Sequence, residues 1–183
     1  DIKPGNLFLC EQGGALDVVK VMDFGLVKAL GRRDSKLTQV GTVVGTPQYL
    51  SPESLSGEQV GPRADLYSLG AVAYELLTGR VVFEADSVGE LIAQHLQAKP
   101  TPPSRHLPGL PPDLERLVVR CLQKNPDDRP ESAAALRDEL GRCADAGGWS
   151  AEDARAWWAE HLPGHIHEPA PLAEEAGATS PEA

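Results

Sequence analysis

Two short turns near the start of the chain hold the side chains best suited to chemistry. The first is Asp1-Ile2-Lys3-Pro4-Gly5-Asn6 and the second is Asp23-Phe24-Gly25. Between them lie Leu7-Phe8-Leu9-Cys10, then Glu11-Gln12-Gly13-Gly14, then Leu16-Asp17-Val18-Val19-Lys20-Val21-Met22. This pattern predicts a β-hairpin, because a Gly pair accepts the positive φ that tight strand connections need. An antiparallel ribbon returns the chain to its starting end, which places Asp1 and Asn6 beside Asp23. Three oxygen-bearing side chains around one cleft suit phosphoryl transfer to a hydroxyl. A carboxylate positions and deprotonates the hydroxyl, and hard oxygen ligands hold Mg²⁺ against the phosphates. A single Asp, Asn or Gly in a turn means only a turn. Two such turns in this order, joined by a hairpin, carry more weight.

The remaining residues must build the support. The chain has 183 residues, of which 41% are apolar, enough for one domain with a real core. Residues 144–183 hold eight acids and one Arg, so −7 of the formal −10 charge lies there. No face or run is strongly basic, which argues against nucleic-acid binding. Cys10, Cys121 and Cys143 are far apart and form no metal or disulfide motif. Cys10 and Cys121 sit in apolar patterns and read as small buried hydrophobes. A reducing, cytoplasmic setting fits this usage. No apolar run approaches the roughly 20 residues of a membrane span. The chain opens on Asp in mid-motif with no Met, and reads as cut from something longer.

Leu26 to Thr46 is a loop by composition, long enough to be functional or disordered. From Arg63 to Thr78, apolar residues fall on almost every face, which predicts a helix buried on all sides and stopped by Gly79. Three amphipathic helices are expected after it. The first runs from Asp86, as a cap, to Lys99; the second from Pro111 to Lys124; the third from Pro130 to Cys143. A proline-rich stretch from Pro100 to Pro112 reads as a rigid linker in preference to an SH3-type ligand. Ala151 to Leu162 predicts a short helix with Ser150 as cap and Asp153 completing a capping box. Trp157 and Trp158 cannot both face one way: docking of the helix on the lobe is the preferred reading, and the alternative is that one ring docks while the other is left for a partner or a membrane surface. His161, His165 and His167 lack the setting of a metal site. Residues 168–183 read as disordered from composition.

The motifs together resemble those of protein kinases. Asp-Ile-Lys-Pro-Gly-Asn followed by Asp-Phe-Gly is similar to the family's catalytic loop and magnesium loop. Gly45-Thr46-Pro47-Gln48-Tyr49-Leu50-Ser51-Pro52-Glu53 resembles the end of the activation segment in serine/threonine kinases. Lys3, two residues after Asp1, marks the same branch, and the overall style is similar to the eukaryotic-like kinases of bacteria. The resemblance implies the larger lobe of a kinase over residues 1–143, mainly α with a small β-hairpin at the cleft. A linker with a Trp-rich helix would follow over 144–167, and a tail over 168–183.

By that resemblance Asp1 is the catalytic base, and Lys3 neutralises the transferring phosphate. Asn6 and Asp23 hold Mg²⁺. Lys3, Asn6, Phe8 and Asp23 meet ATP. Thr46 hydrogen-bonds towards Asp1 and Lys3. Thr42, four residues earlier, occupies the place of an activating phosphothreonine, where a phosphate would bring nearly two negative charges to the loop. Phe24, Gly25, Glu53, Asp65 and Arg129 are structural. Asp65 holds the catalytic loop, with helix capping as its simpler reading. Arg129, in Asn125-Pro126-Asp127-Asp128-Arg129-Pro130, pairs with Glu53. Leu50 and the Pro47 region form the shelf for a peptide substrate. Glu75 is the only acid at a place associated with basic substrates.

The Gly-rich loop, the strand lysine and its glutamate partner do not occur in these residues. The 183 residues alone are therefore expected to be inactive, with apolar faces of the Arg63–Thr78 helix left bare. Two other classes are weighed. A pseudokinase or scaffold has no chemical need for Asp1, Lys3, Asn6 and Asp23 together. A small-molecule phosphotransferase has no need for a shelf built for peptides.

Overall fold

The structure, a computed structural model, describes residues 1–23 and 47–164. The expected loop from Leu26 to Thr46, Phe24, Gly25, His165, His167 and the 168–183 tail lie outside the described residues. Among the described residues the architecture is mainly α with one two-stranded antiparallel sheet. The chain divides into two compact units, residues 1–8 with 20–149, and residues 9–19 with the segment from Ser150 onward.

A single helical turn, Pro4–Asn6, leads into β1, Leu7–Gln12, which pairs with β2, Ala15–Val21. Gly13 and Gly14 make the whole turn, with φ of 61° and 83°. That is the doubly left-handed turn whose twist matches a hairpin. The strands therefore take in Glu11 and Gln12, which the sequence pattern assigned to the connection, and β2 starts at Ala15, one residue before Leu16.

In the larger unit, α1 (Pro52–Ser56) begins at Ser51, whose side chain accepts from the Ser54 amide. The long helix α2 (Arg63–Thr78) stops at Gly79, which takes φ 68° and donates its N–H to the Glu75 carbonyl at 2.7 Å. Helix α2 buries Tyr67, Ala71, Val72 and Tyr74 but not every face, since Leu69 is 38% and Leu76 79% exposed. The expectation of burial on all sides is corrected accordingly, and Leu69 and Leu76 are the bare apolar residues of this helix.

Helix boundaries shift where better caps exist. Helix α3 (Val88–Gln97) is capped by Ser87, one residue after Asp86, and ends before Lys99. Helix α4 (Pro112–Cys121) stops short of Lys124 because Asn125 precedes a proline and is biased away from helix. Helix α5 (Ala133–Leu140) starts at the Ser132 cap, not at Pro130. Tyr67, Tyr74, Phe83, Leu91, Val118 and Leu122 form the main core beside α2. Leu66, Leu117, Cys121 and Leu136 form a second cluster. Helices α2 and α4 cross at Gly70, where an added Cβ would lie 2.6 Å from the Cys121 Cβ. Only a glycine permits that approach. Cys121 is buried as expected, but Cys10 is only half-buried, on a strand of a sheet with no third strand among the described residues.

In the smaller unit, α6 (Ala151–His161) starts with the expected capping box. The Asp153 amide donates to Ser150 Oγ at 3.1 Å, and the Ser150 amide donates to Asp153 Oδ2 at 2.8 Å. Ala154 and Trp158 are buried, while Trp157 is 37% exposed and stacks on His161 at 4.6 Å. The Trp158 indole N–H donates to Asp17 Oδ1 of β2 at 2.7 Å. These contacts lie within one unit, so they lend no support to docking of the Trp pair on the larger lobe.

Candidate active site

The turn that opens the chain folds on Asn6. Its backbone N–H returns to the Lys3 carbonyl at 3.0 Å, and its carbonyl accepts from Met22 N–H at 2.8 Å. The second bond closes the base of the hairpin, so the start of β1 and the end of β2 arrive together. Asn6 is buried, and its side-chain amide donates to the Asp1 carbonyl at 2.9 Å and the Asp23 carbonyl at 3.4 Å. The same nitrogen lies 3.5 Å from Asp1 Oδ2. One amide thus ties Asp1 to Asp23 across 22 residues of chain. The Lys3 ammonium stands 3.2 Å from Asp1 Oδ2. Asp23 takes φ 53°, a left-handed conformation that Asp tolerates better than most residues.

These donors suit a magnesium ion. With the Asn6 nitrogen spent on carbonyls, its side-chain oxygen is the atom available to a cation; Asp23, whose carbonyl the same amide holds, brings a carboxylate of the kind such an ion takes. No trio of His, Cys, Asp or Glu gathers among the described residues. Mg²⁺ needs no such cage, since it keeps several waters and takes one or two protein oxygens plus substrate phosphates.

The facing side is built by a helical turn at Pro47–Tyr49 and by α2. Ser68 on α2 donates to the Tyr49 carbonyl at 2.6 Å, and the Tyr49 hydroxyl donates to Glu75 Oε2 at 2.6 Å. Burial, and then the Glu75 carboxylate, push the Tyr49 hydroxyl well above the usual tyrosine range. Glu75 is therefore engaged by the protein's own tyrosine. A pocket of ≈ 120 Å³ joins the two sides, with Asp1, Lys3, Tyr49, Leu50, Asp65 and Ser68 in its lining. Asp65 caps no helix end; the α2 cap position is Pro62. Its carboxylate is 68% exposed and stands 3.9 Å from the Asp1 main-chain nitrogen, beyond hydrogen-bond length.

Arg129 grips Glu53 of α1 with two bonds, Nη1 to Oε1 at 2.7 Å and Nη2 to Oε2 at 2.8 Å. Its other donors go to the carbonyls of Gln123 (2.8 Å), Arg63 (2.9 Å) and Lys124 (3.0 Å). Burial alone would raise the Glu53 carboxyl, but the Arg129 bonds outweigh it and hold the group below the usual carboxylate range. Thr42 and Thr46 lie outside the described residues. Phe8 is 52% exposed.

One supporting cluster stands outside every motif. The Lys124 amine donates to the His95 carbonyl at 2.7 Å and lies over the Phe83 ring at 4.6 Å. It thereby places a cation at the C-terminal end of α3, where the helix dipole favours one. His95 is fully buried, with Nδ1 2.9 Å from the Tyr67 hydroxyl. The signal for His95 is its place four residues after Leu91, on the apolar side of α3.

The fold and this site define a protein-kinase larger lobe. The chain belongs to the protein kinase domain family, whose model matches residues 1–140. It is 44% identical over 142 residues to the serine/threonine-protein kinase PknB of Mycolicibacterium smegmatis, covering 78% of this chain and 22% of that protein. It is 44% identical over 144 residues to the serine/threonine-protein kinase pkn3 of Myxococcus xanthus, covering 76% and 26%. It is 49% identical over 144 residues to the serine/threonine-protein kinase PksC of Streptomyces coelicolor, covering 79% and 25%. The chain thus spans about a quarter of the length of the curated relatives it matches.

Proposed function

We propose that this chain carries the catalytic and substrate-binding half of a serine/threonine protein kinase, which moves the γ-phosphoryl group of ATP to protein hydroxyls. The observation that carries the reading is the Asn6 amide. It bonds the carbonyls of both Asp1 and Asp23, and Asp1 in turn lines a pocket shared with Tyr49 and Leu50. In this reading Asp1 accepts the proton of the acceptor hydroxyl. Lys3, 3.2 Å from Asp1, offers its positive charge to the phosphoryl oxygens. Asn6 and Asp23 supply the oxygens that hold Mg²⁺, and Phe8 meets the nucleotide. When bound, Mg²⁺-ATP supplies the phosphoryl group and screens its charge. Thr46 steadies Asp1 and Lys3, and phosphorylation of Thr42 switches the loop.

The placement of Asp1 and Asp23 around one buried amide favours this over a scaffold, which needs no such convergence. A cytoplasmic location belongs to the same reading, supported by the wide spacing of Cys10, Cys121 and Cys143, which form no disulfide motif. No helix among the described residues is long and apolar enough to cross a membrane.

The test uses the full-length protein with radiolabelled ATP and a protein substrate. Asp1→Asn is expected to lower transfer by at least a hundredfold with folding intact, since general-base contributions run to about 10²–10⁴. Equal activity in the variant rejects the assignment. Phosphopeptide mapping with Thr42→Ala decides the regulatory site; an unmodified Thr42 and a fully active variant remove it.

A further inference from the structure

Helix α6 lies beyond the residues that the kinase family model matches, 1–140, yet it holds a residue of the hairpin whose strands end at the site. We propose that α6 is a strap on that hairpin, and that Trp158, through Asp17, is a positioning residue for the metal-binding turn. The proposal rests on the magnesium roles of Asn6 and Asp23 given above.

Three observations converge. Trp158 is 2% exposed and directs its indole N–H at Asp17 Oδ1, 2.7 Å away across 141 residues of sequence. A buried indole needs an acceptor, and here the acceptor belongs to β2. Asp17 takes φ 59° inside a strand, where extended backbone is the rule. Non-glycine residues keep that conformation only where surrounding contacts over-determine it. The Trp158 bond is such a contact, made from outside the sheet.

The third observation is the route to the site. Strand β2 continues from Asp17 to Val21; Met22 then bonds the Asn6 carbonyl at 2.8 Å, and the Asp23 carbonyl receives the Asn6 amide at 3.4 Å. The register of β2 against β1 therefore sets where Asp23 stands relative to Asn6. A hairpin of two strands alone is marginally stable in water, and no third strand joins this one among the described residues. A fixed Asp17 holds β2 against opening of the hairpin, and the capping box at Ser150 and Asp153 fixes the start of the helix that delivers Trp158.

The experiment uses the full-length protein with Trp158→Phe, which keeps a ring and deletes the donor, and with Asp17→Ala. Asp17→Asn is the rescue, since it keeps the acceptor oxygen and tolerates left-handed φ. Amide hydrogen exchange over residues 18–22 is read first, then the Mg²⁺ concentration giving half-maximal transfer at saturating ATP. Trp158→Phe and Asp17→Ala are each expected to speed exchange several-fold and to raise the Mg²⁺ midpoint about three- to tenfold. The double variant should be no worse than either single one, and Asp17→Asn should match the unmodified protein. Unchanged exchange and an unchanged Mg²⁺ midpoint in folded Trp158→Phe overturn the strap. So does an Asp17→Asn variant as impaired as Asp17→Ala. Asp23→Asn separates the two ideas. If it abolishes transfer while Trp158→Phe changes nothing, the strap alone is wrong. If it transfers normally, the metal assignment is wrong and the proposal that rests on it goes too.

Discussion

Arg129 and Glu53 meet through two parallel bonds of 2.7 and 2.8 Å, with side chains only 0% and 4% exposed. Removing one partner leaves a buried charge, which costs about 3–5 kcal/mol. Arg129→Ala in the full-length protein should therefore lower Tm by roughly 10 °C, taking about 2–4 °C per kcal/mol for a domain of this size. It should also raise KM for the protein substrate, because α1 and the Tyr49 shelf share the anchor. Replacing both residues by Leu should cost less than either single change. Glu53 is held below its unfolded pKa, so its contribution is present above about pH 4.3 and lost as pH falls through the folded value. Wild-type melting and KM in Arg129→Ala would refute the anchor.

Gly70→Ala should destabilise by about 1–3 kcal/mol, as overpacking does. Its new Cβ meets the Cys121 Cβ at 2.6 Å, so Cys121→Ala, which retains that atom, should not restore Tm. Full rescue by Cys121→Ala would place the clash elsewhere.

His95 gives the protein a pH dependence of its own. Burial first, and then the Lys124 charge, push it down to about 4. Between roughly pH 6.5 and 4 the unfolded chain takes up a proton that the folded one refuses, so stability falls as pH falls. The full loss is on the order of 3 kcal/mol by pH 4. His95→Gln should flatten Tm between pH 7 and 5, above the range where Glu53 titrates. An identical slope in the variant would assign the effect to other groups.

Tyr49→Phe deletes the 2.6 Å bond to Glu75. Bonds to charged groups are worth about 1.5–3 kcal/mol when buried, so this partly exposed one should contribute near the lower end. The expected outcome is a higher KM for the protein substrate with kcat little changed. The Glu75 carboxylate, no longer engaged, should then favour substrates with a basic residue. Peptide-library profiling of the variant checks this, and an unchanged preference counts against it.

Much of the fold was legible because its signals are local. Gly13-Gly14 between apolar runs marked the hairpin, Gly79 marked the end of α2, and Ser150 with Asp153 marked the start of α6. Each depends on φ or on a cap within three residues. Boundaries at α3, α4 and α5 moved because Ser87, Asn125-Pro126 and Ser132 competed with equally local signals nearby. The exposure of Leu69 and Leu76 was partly foreseeable, since a helix apolar all round needs neighbours on every side.

Residue types and spacing by themselves determined the family, the hairpin and which side chains have chemistry to offer, since motifs and turn preferences act over a few neighbouring residues. Only the tertiary structure decided that the Asn6 amide bridges Asp1 to Asp23, that Lys124 seals the end of α3 over a buried His95, and that Trp158 reaches Asp17. These are meetings of groups from 5 to 141 residues apart, fixed by how helices and strands pack, and no local preference encodes them.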